Sequence, residues 1–396
     1  MTQEPRLHCA RCDLDHPLPE LAWRCARCSG VLDLAGFDPA WPDPSAWAAR
    51  PATLWRYAEA LPVPAGRAAR ISLGEGMTPL VPAAGHPGVA LKVDYLAPTG
   101  SFKDRGAVVL VAAAAELGAC RMVADSSGNA GAAIAAYAAR AGIGCEVFLP
   151  AGTSPGKVAQ LRAYRAEVRE VAGTRQDAAD AAALAAEAPG VYYASHVYQP
   201  AFLHGTKTYA FELWEQLGGR LPETLLLPVG NGTLVLGAYL GARELAARGL
   251  VDRLPRIVAV QAAGCAPLAA AFAAGRDEPE PVTPEPTVAE GIAIARPARG
   301  AQILAAVRDT GGAVVTVSDG QVLEARAELG AGGLYVEPTA AACWAAVRSG
   351  AVPPVPSPES PAPSGAPSEA RGRSHGDVPV HTVLPLCGSG LKSGGY

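Results

Sequence analysis

A lysine serves carbonyl chemistry only when its amine is neutral, and Lys103 stands where neutrality is favoured. It lies in Pro98-Thr-Gly-Ser-Phe-Lys-Asp-Arg-Gly106, at the first turn of an expected helix, where the positive end of the helix dipole disfavours an ammonium. Burial lowers such a pKa further, and a neutral amine near pH 7 is what Schiff-base chemistry on an aldehyde needs. Asp104 and Arg105 suit a solvated charged face, whereas Phe102 and the neighbouring Gly and Thr turn the lysine inward. A second loop, Leu225-Leu-Leu-Pro-Val-Gly-Asn-Gly-Thr233, joins an apolar run to a segment with helical spacing. Gly230, Asn231, Gly232 and Thr233 expose backbone N–H groups at a helix start, which suits a phosphate dianion. The loop lacks the Gly-Lys-Ser/Thr of a Walker loop and the third glycine of a dinucleotide fingerprint. A third loop, Ser126-Ser-Gly-Asn-Ala-Gly131, has more polar groups than an N-cap requires. Its hydroxyls can hold a carboxylate, and Asn129 can donate to a ring oxygen.

An aldehyde-reactive lysine, a phosphate cradle and a turn that binds carboxylate and phenol together describe a site for pyridoxal 5′-phosphate acting on an amino acid. A separate constellation lies near the N-terminus. Cys9-Ala-Arg-Cys12 and Cys25-Ala-Arg-Cys28 are two thiol pairs at the spacing of a ribbon that closes a tetrahedron around Zn²⁺. A 34-residue segment needs such a staple to fold. Residues 1–34 carry four Arg and five acids, which favours a structural cap over a grip on nucleic acid.

The elements that must position these groups follow from composition and patterning. The chain has 396 residues, 49% hydrophobic and 18% charged, with a net charge of −4, which excludes a disordered chain and a phosphate-backbone binder. Nine cysteines, an odd number with five scattered singly, imply a reducing compartment, and the N-terminal residues carry no secretory h-region. A cytoplasmic enzyme without nucleic-acid or membrane partners is expected. Short β-rich runs at 89–93, 121–125, 145–149, 167–171, 224–228, 257–261, 313–317 and 380–386 alternate with alanine-rich helical stretches. That alternation predicts an α/β fold with two doubly wound sheets, preceded by the ribbon-like segment. The expected division is 1–34 for the ribbon, 35–108 with 200–396 for a large domain, and 109–199 for a small one. Pro353 to Gly376, with seven prolines before Ser368, is expected to be a disordered insertion. The strand after it delivers Cys387-Gly-Ser-Gly-Leu-Lys392, so the last residues are candidates for the site.

Pro98–Gly106 resembles the cofactor-lysine motif of the fold type II family of threonine synthases and serine/threonine dehydratases. Leu73-Gly-Glu-Gly-Met-Thr-Pro-Leu80, Ser126–Gly131, Ala289–Ile294 and Val336-Glu-Pro-Thr-Ala-Ala341 carry the same resemblance, and the cysteine ribbon makes the chain most like threonine synthase. The resemblance implies that Lys103 binds the cofactor covalently and moves the Cα proton. It places Asn129 on the cofactor's 3′-oxygen and Gly230–Thr233 on its phosphate. Cys387, with Ser389 nearby, takes the position beside the ring nitrogen usually held by Ser or Thr. Ser101, Ser126 and Ser127 would meet the substrate carboxylate, and Lys207 and Thr208 a second anion. A homodimer is also implied. The implied reaction forms L-threonine from O-phospho-L-homoserine. Such enzymes usually carry an Arg for the substrate phosphate where this chain has Phe202. That difference favours the alternative of an amino-acid β-eliminase or β-replacement enzyme. Two further alternatives are a non-catalytic ribbon protein with a vestigial cofactor fold and a nicotinamide dehydrogenase, the latter weakened by the missing dinucleotide spacing.

Overall fold

The computed structural model describes residues 4–18, 22–64, 66, 70–153, 155–352 and 379–392. Pro353–Gly376 falls outside the described residues. Thirteen described strands form three sheets. β1 (Arg6–Cys9), β2 (Leu14–His16) and β3 (Asp33–Ala35) make a small antiparallel sheet ordered β2-β1-β3, which extends the ribbon through residue 35.

β4 (Leu80–Pro82), β5 (Val89–Lys92), β10 (Thr224–Pro228), β11 (Arg256–Ala262), β12 (Ala313–Val317) and β13 (Thr382–Pro385) form a six-stranded sheet. Its order is β12-β11-β10-β13-β5-β4, with every neighbouring pair parallel except antiparallel β4–β5. β6 (Arg121–Ala124), β7 (Gly144–Pro150), β8 (Glu167–Val171) and β9 (Val191–Tyr193) form a parallel sheet ordered β8-β7-β6-β9. Every residue of β10 and β11 is buried, as helices on both faces of a parallel sheet require. β8 lies at an edge, and its Glu-Val-Arg-Glu-Val sequence keeps charges toward water.

The Lys103–Glu116 helix crosses the Pro200–Thr206 helix through two glycines. A Cβ on Gly106 would come within 2.4 Å of the Phe202 ring, and one on Gly205 within 2.1 Å of the Arg105 carbonyl oxygen. Phe202 is therefore a packing residue fitted to Gly106 and is fully buried. The final strand, β13, enters the middle of the large sheet between β10 and β5. No helix among the described residues is long and apolar enough to cross a membrane.

Candidate active site

Because β10, β13 and β5 are adjacent and parallel, the loops that follow them emerge side by side at one edge of the sheet. These loops carry Val229–Gly232, Leu386–Lys392 and Val93–Phe102, three of the segments singled out by their chemistry. Backbone bonds join them: Phe102 N donates to Cys387 O and Ser389 N to Gly100 O, both at 3.0 Å. Glu337 N donates to Gly388 O at 3.0 Å, which brings in the Val336-Glu-Pro segment. From the four-stranded sheet, the turn after β6 contributes Asp125 to Asn129.

Lys103 opens its helix, and its Nζ donates to Thr233 Oγ1 at 3.2 Å. The amine lies 4.6 Å from the Phe102 ring centre and 5.7 Å from that of Phe202. Burial lowers its pKa to about 8, helped by Arg175 and opposed by Cys387 and Glu337. The Gly-rich loop meets the lysine from the other side. Gly232 is left-handed at φ +75°, and a Cβ there would come within 2.2 Å of Ile303 Cδ1, so only glycine fits. The Thr233–Ala247 helix begins at this glycine with no side-chain cap, which leaves its first-turn N–H groups open to an anion.

Two further atoms fit a polar ligand in this region. Ser101 Oγ and His196 Nδ1 are both buried and without a hydrogen-bond partner among the described residues, a state that costs free energy unless something else bonds them. Burial holds His196 well below the ordinary histidine pKa, and Lys103 and Arg175 push in the same direction, so the ring is neutral. Cys387 is buried, and its thiol is raised well above the ordinary value by burial first and by Glu337 second. A neutral thiol leaves a ring nitrogen beside it unprotonated. Ser389 joins the site through its backbone, and its hydroxyl accepts from Leu391 N at 3.3 Å.

Asn129 starts the Asn129–Ala141 helix. Its Nδ2 donates to both carboxylate oxygens of Glu337 at 3.0 Å, and its Oδ1 accepts from Lys392 Nζ at 2.9 Å. Ser126 is buried, and its hydroxyl accepts from Gly128 N at 3.4 Å. Ser127 is half-buried in the same turn. Glu337 and Lys392 were not foreseen as neighbours of Asn129. Both lie in quoted motifs, but only the meeting of segments more than 200 residues apart brings them together.

Lys207 and Thr208, expected at a substrate anion, are not brought to this group. Lys207 is fully buried, with Nζ bonded to Glu244 Oε1 at 2.7 Å and to His204 Nδ1 at 3.0 Å. The Thr208 hydroxyl donates to Gly205 O at 2.8 Å and accepts from Arg105 at 3.4 Å. It thus belongs to a buried charge cluster in which Arg105 pairs with Asp94 at 2.7 Å and with Glu212 at 2.5 Å, and Lys92 with Glu212 at 2.9 Å. Burial alone would raise the Glu212 carboxyl, but Arg105 and Lys92 hold it down to about 2. The cluster anchors Arg105, two residues beyond Lys103.

The four ribbon thiols converge, with the sulfurs of Cys9, Cys12, Cys25 and Cys28 all within 4.8 Å of one another. Tetrahedral Zn–S bonds of about 2.3 Å require sulfur separations of about 3.8 Å, so the group fits Zn²⁺. Arg27 N points at Cys25 Sγ at 3.4 Å, an amide placed to stabilise a thiolate. The ribbon docks on the body through Arg299, which bonds Asp33 Oδ1 at 2.7 Å, Leu32 O at 2.9 Å and Val197 O at 2.6 Å. Trp23 packs edge-on against Tyr193 at 4.6 Å and Tyr198 at 5.1 Å.

A lysine opening a helix beside a glycine-started helix, at the edge of parallel strands, is the arrangement that the resemblance to fold type II enzymes implies. Residues 71–355 match the family described as pyridoxal-phosphate dependent enzyme. The chain belongs to that family. Threonine synthase of Methanosarcina acetivorans is 34% identical over 351 residues, covering 86% of each chain. Threonine synthase of Mycobacterium leprae is 38% identical, covering 69% of this chain and 75% of that one. Among solved structures, a T.th. threonine deaminase aligns with a TM-score of 0.62 at 27% identity, over 82% of this chain and 96% of its own. Maize serine racemase, at 20% identity and a TM-score of 0.63, covers 82% of this chain and 92% of its own and shares the fold. The protein is a pyridoxal 5′-phosphate-dependent lyase, similar to threonine synthases.

Proposed function

We propose that the enzyme converts O-phospho-L-homoserine and water into L-threonine and inorganic phosphate. The observation that carries this reading is the Lys103 amine, brought to about 8 by burial and set between the uncapped start of the Thr233–Ala247 helix and the buried Cys387 thiol. The choice of substrate rests on the likeness to threonine synthases.

Lys103 would hold the cofactor, Gly230–Thr233 its phosphate and Asn129 its 3′-oxygen, with Cys387 beside the ring nitrogen. Bound pyridoxal phosphate supplies an electron sink that acidifies the substrate's Cα–H and then its Cβ–H. Lys103, neutral in a large fraction of molecules near pH 8, accepts the Cα proton and returns a proton later in the cycle. The net change breaks the Cγ–O bond with loss of phosphate, places the hydroxyl of water on Cβ and leaves Cγ as a methyl group. Ser101, Ser126 and Ser127 orient the substrate carboxylate, the unpaired Ser101 hydroxyl being ready to donate. Phe202 leaves no cation on its helix for the substrate phosphate. The exposed Arg175 side chain, which makes no hydrogen bond or ion pair among the described residues and whose charge is felt by Lys103, His196 and Asp125, supplies one.

Phe202 favours a second reading, β-elimination from threonine or serine. The two separate in one assay of the holoenzyme. Threonine and phosphate in equal amounts from O-phospho-L-homoserine support the first. Ammonia and a 2-oxo acid from L-threonine or L-serine, with no phosphate released from O-phospho-L-homoserine, overturn it in favour of the second.

A further inference from the structure

Asn129 is held at both ends of its carboxamide. Lys392 donates to Oδ1, and Nδ2 stands equally far from the two oxygens of Glu337. The chemistry allows only this orientation. A flipped amide would set its NH₂ against the Lys392 ammonium and its oxygen against the Glu337 carboxylate, losing both bonds to like-with-like contacts. One nitrogen equidistant from two carboxylate oxygens shares a single hydrogen between them, so its second N–H is unclaimed among the described residues.

Both holding groups reach Asn129 through glycines. The Lys392 stem passes over Gly100, its Cδ and Cε 3.5 and 3.6 Å from where a Cβ would be. The Glu337 carboxylate lies so close to Gly388 that a Cβ there would come within 2.1 Å of Oε1. Gly100 belongs to the Lys103 loop and Gly388 to the segment after β13, so the clamp ties three of the site's five segments to a fourth. Lys392 is partly buried and also faces Asp104, and desolvation lowers its pKa.

We infer that Lys392 and Glu337 are positioning residues that clamp the Asn129 carboxamide, so that its remaining N–H is presented to the 3′-oxygen of the bound cofactor. They act through Asn129 and are independent of which amino acid the enzyme consumes. The clamp holds whether the substrate is O-phospho-L-homoserine or threonine.

The test is a double-mutant cycle read on the cofactor alone. Apoenzyme carrying Lys392→Met, Glu337→Gln, Asn129→Ala, or Lys392→Met with Asn129→Ala is titrated with pyridoxal 5′-phosphate, and both affinity and the visible-to-near-ultraviolet absorbance ratio are recorded. Lys392→Met is expected to weaken cofactor binding roughly tenfold, the scale of a lost hydrogen bond to a charged group, and to shift the absorbance ratio. In the Asn129→Ala background the same change should have little further effect, and Lys392→Arg should restore most of both readouts. Thermal melting of each apo-variant separates a folding defect from a clamp defect. Equal losses in the two backgrounds, or wild-type affinity and spectrum in Lys392→Met, overturn the inference.

Discussion

In the apoenzyme, the Lys103 amine should titrate far below an ordinary lysine, and that shift can be measured without any substrate. Its pKa of about 8 compares with 10.5 for the free side chain. At pH 7.5 about a quarter of such amines are neutral, against about one in a thousand unperturbed, a gain of roughly 250-fold in nucleophile. Competitive acetylation of the apoenzyme over a pH series, read at Lys103 by peptide mass spectrometry, should show reactivity rising with a midpoint near 8. Arg175→Ala should move that midpoint upward, because Arg175 disfavours the ammonium. The same shift has a stability consequence of fixed sign. Between the folded and unfolded pKa values the unfolded chain binds more protons, so this residue costs the apo fold up to about 3 kcal/mol below pH 8, a cost that disappears as pH rises toward 10.5. A Lys103 midpoint above about 10 would refute the argument that burial prepares the amine.

Two other outcomes follow from the surrounding structure. Glu212→Ala leaves Arg105 and Lys92 buried without their shared partner, and should cost about 3–5 kcal/mol in a denaturant titration; a loss below about 1 kcal/mol would show the cluster to be solvated. Cys12→Ser should remove most of about one equivalent of Zn²⁺ per chain in elemental analysis, and wild-type protein holding less than about half an equivalent would contradict the tetrahedral site.

The strands were legible because short β-rich runs bounded by turn residues have few other uses. The runs at 167–171, 224–228 and 313–317 are strands to the residue. β9 escaped notice because three residues give no period to count, and β4 because Pro82 and an edge position weaken its pattern. Lys103, Asn129 and the Gly230–Thr233 loop could be singled out because each lies at the start of a helix, a local feature the sequence carries in order. Lys207 misled for the complementary reason. Its neighbours in the chain suited an anion site, while the Glu244 and His204 side chains that bond it are set by how helices pack. The partners of Asn129 were hidden by sequence separations above 200 residues, which no local pattern reports.

The placement of β13 gives the molecule a vectorial problem. A ribosome releases β5 and β10 long before residues 382–385, yet those two strands have no ladder between them until the last one slots in. The nascent chain must therefore keep two half-sheets apart, with unpaired edges facing one another, until residue 385 has emerged. Such a gap invites a strand from another chain, so premature stop codons shortly before residue 379 should yield aggregation rather than a trimmed enzyme.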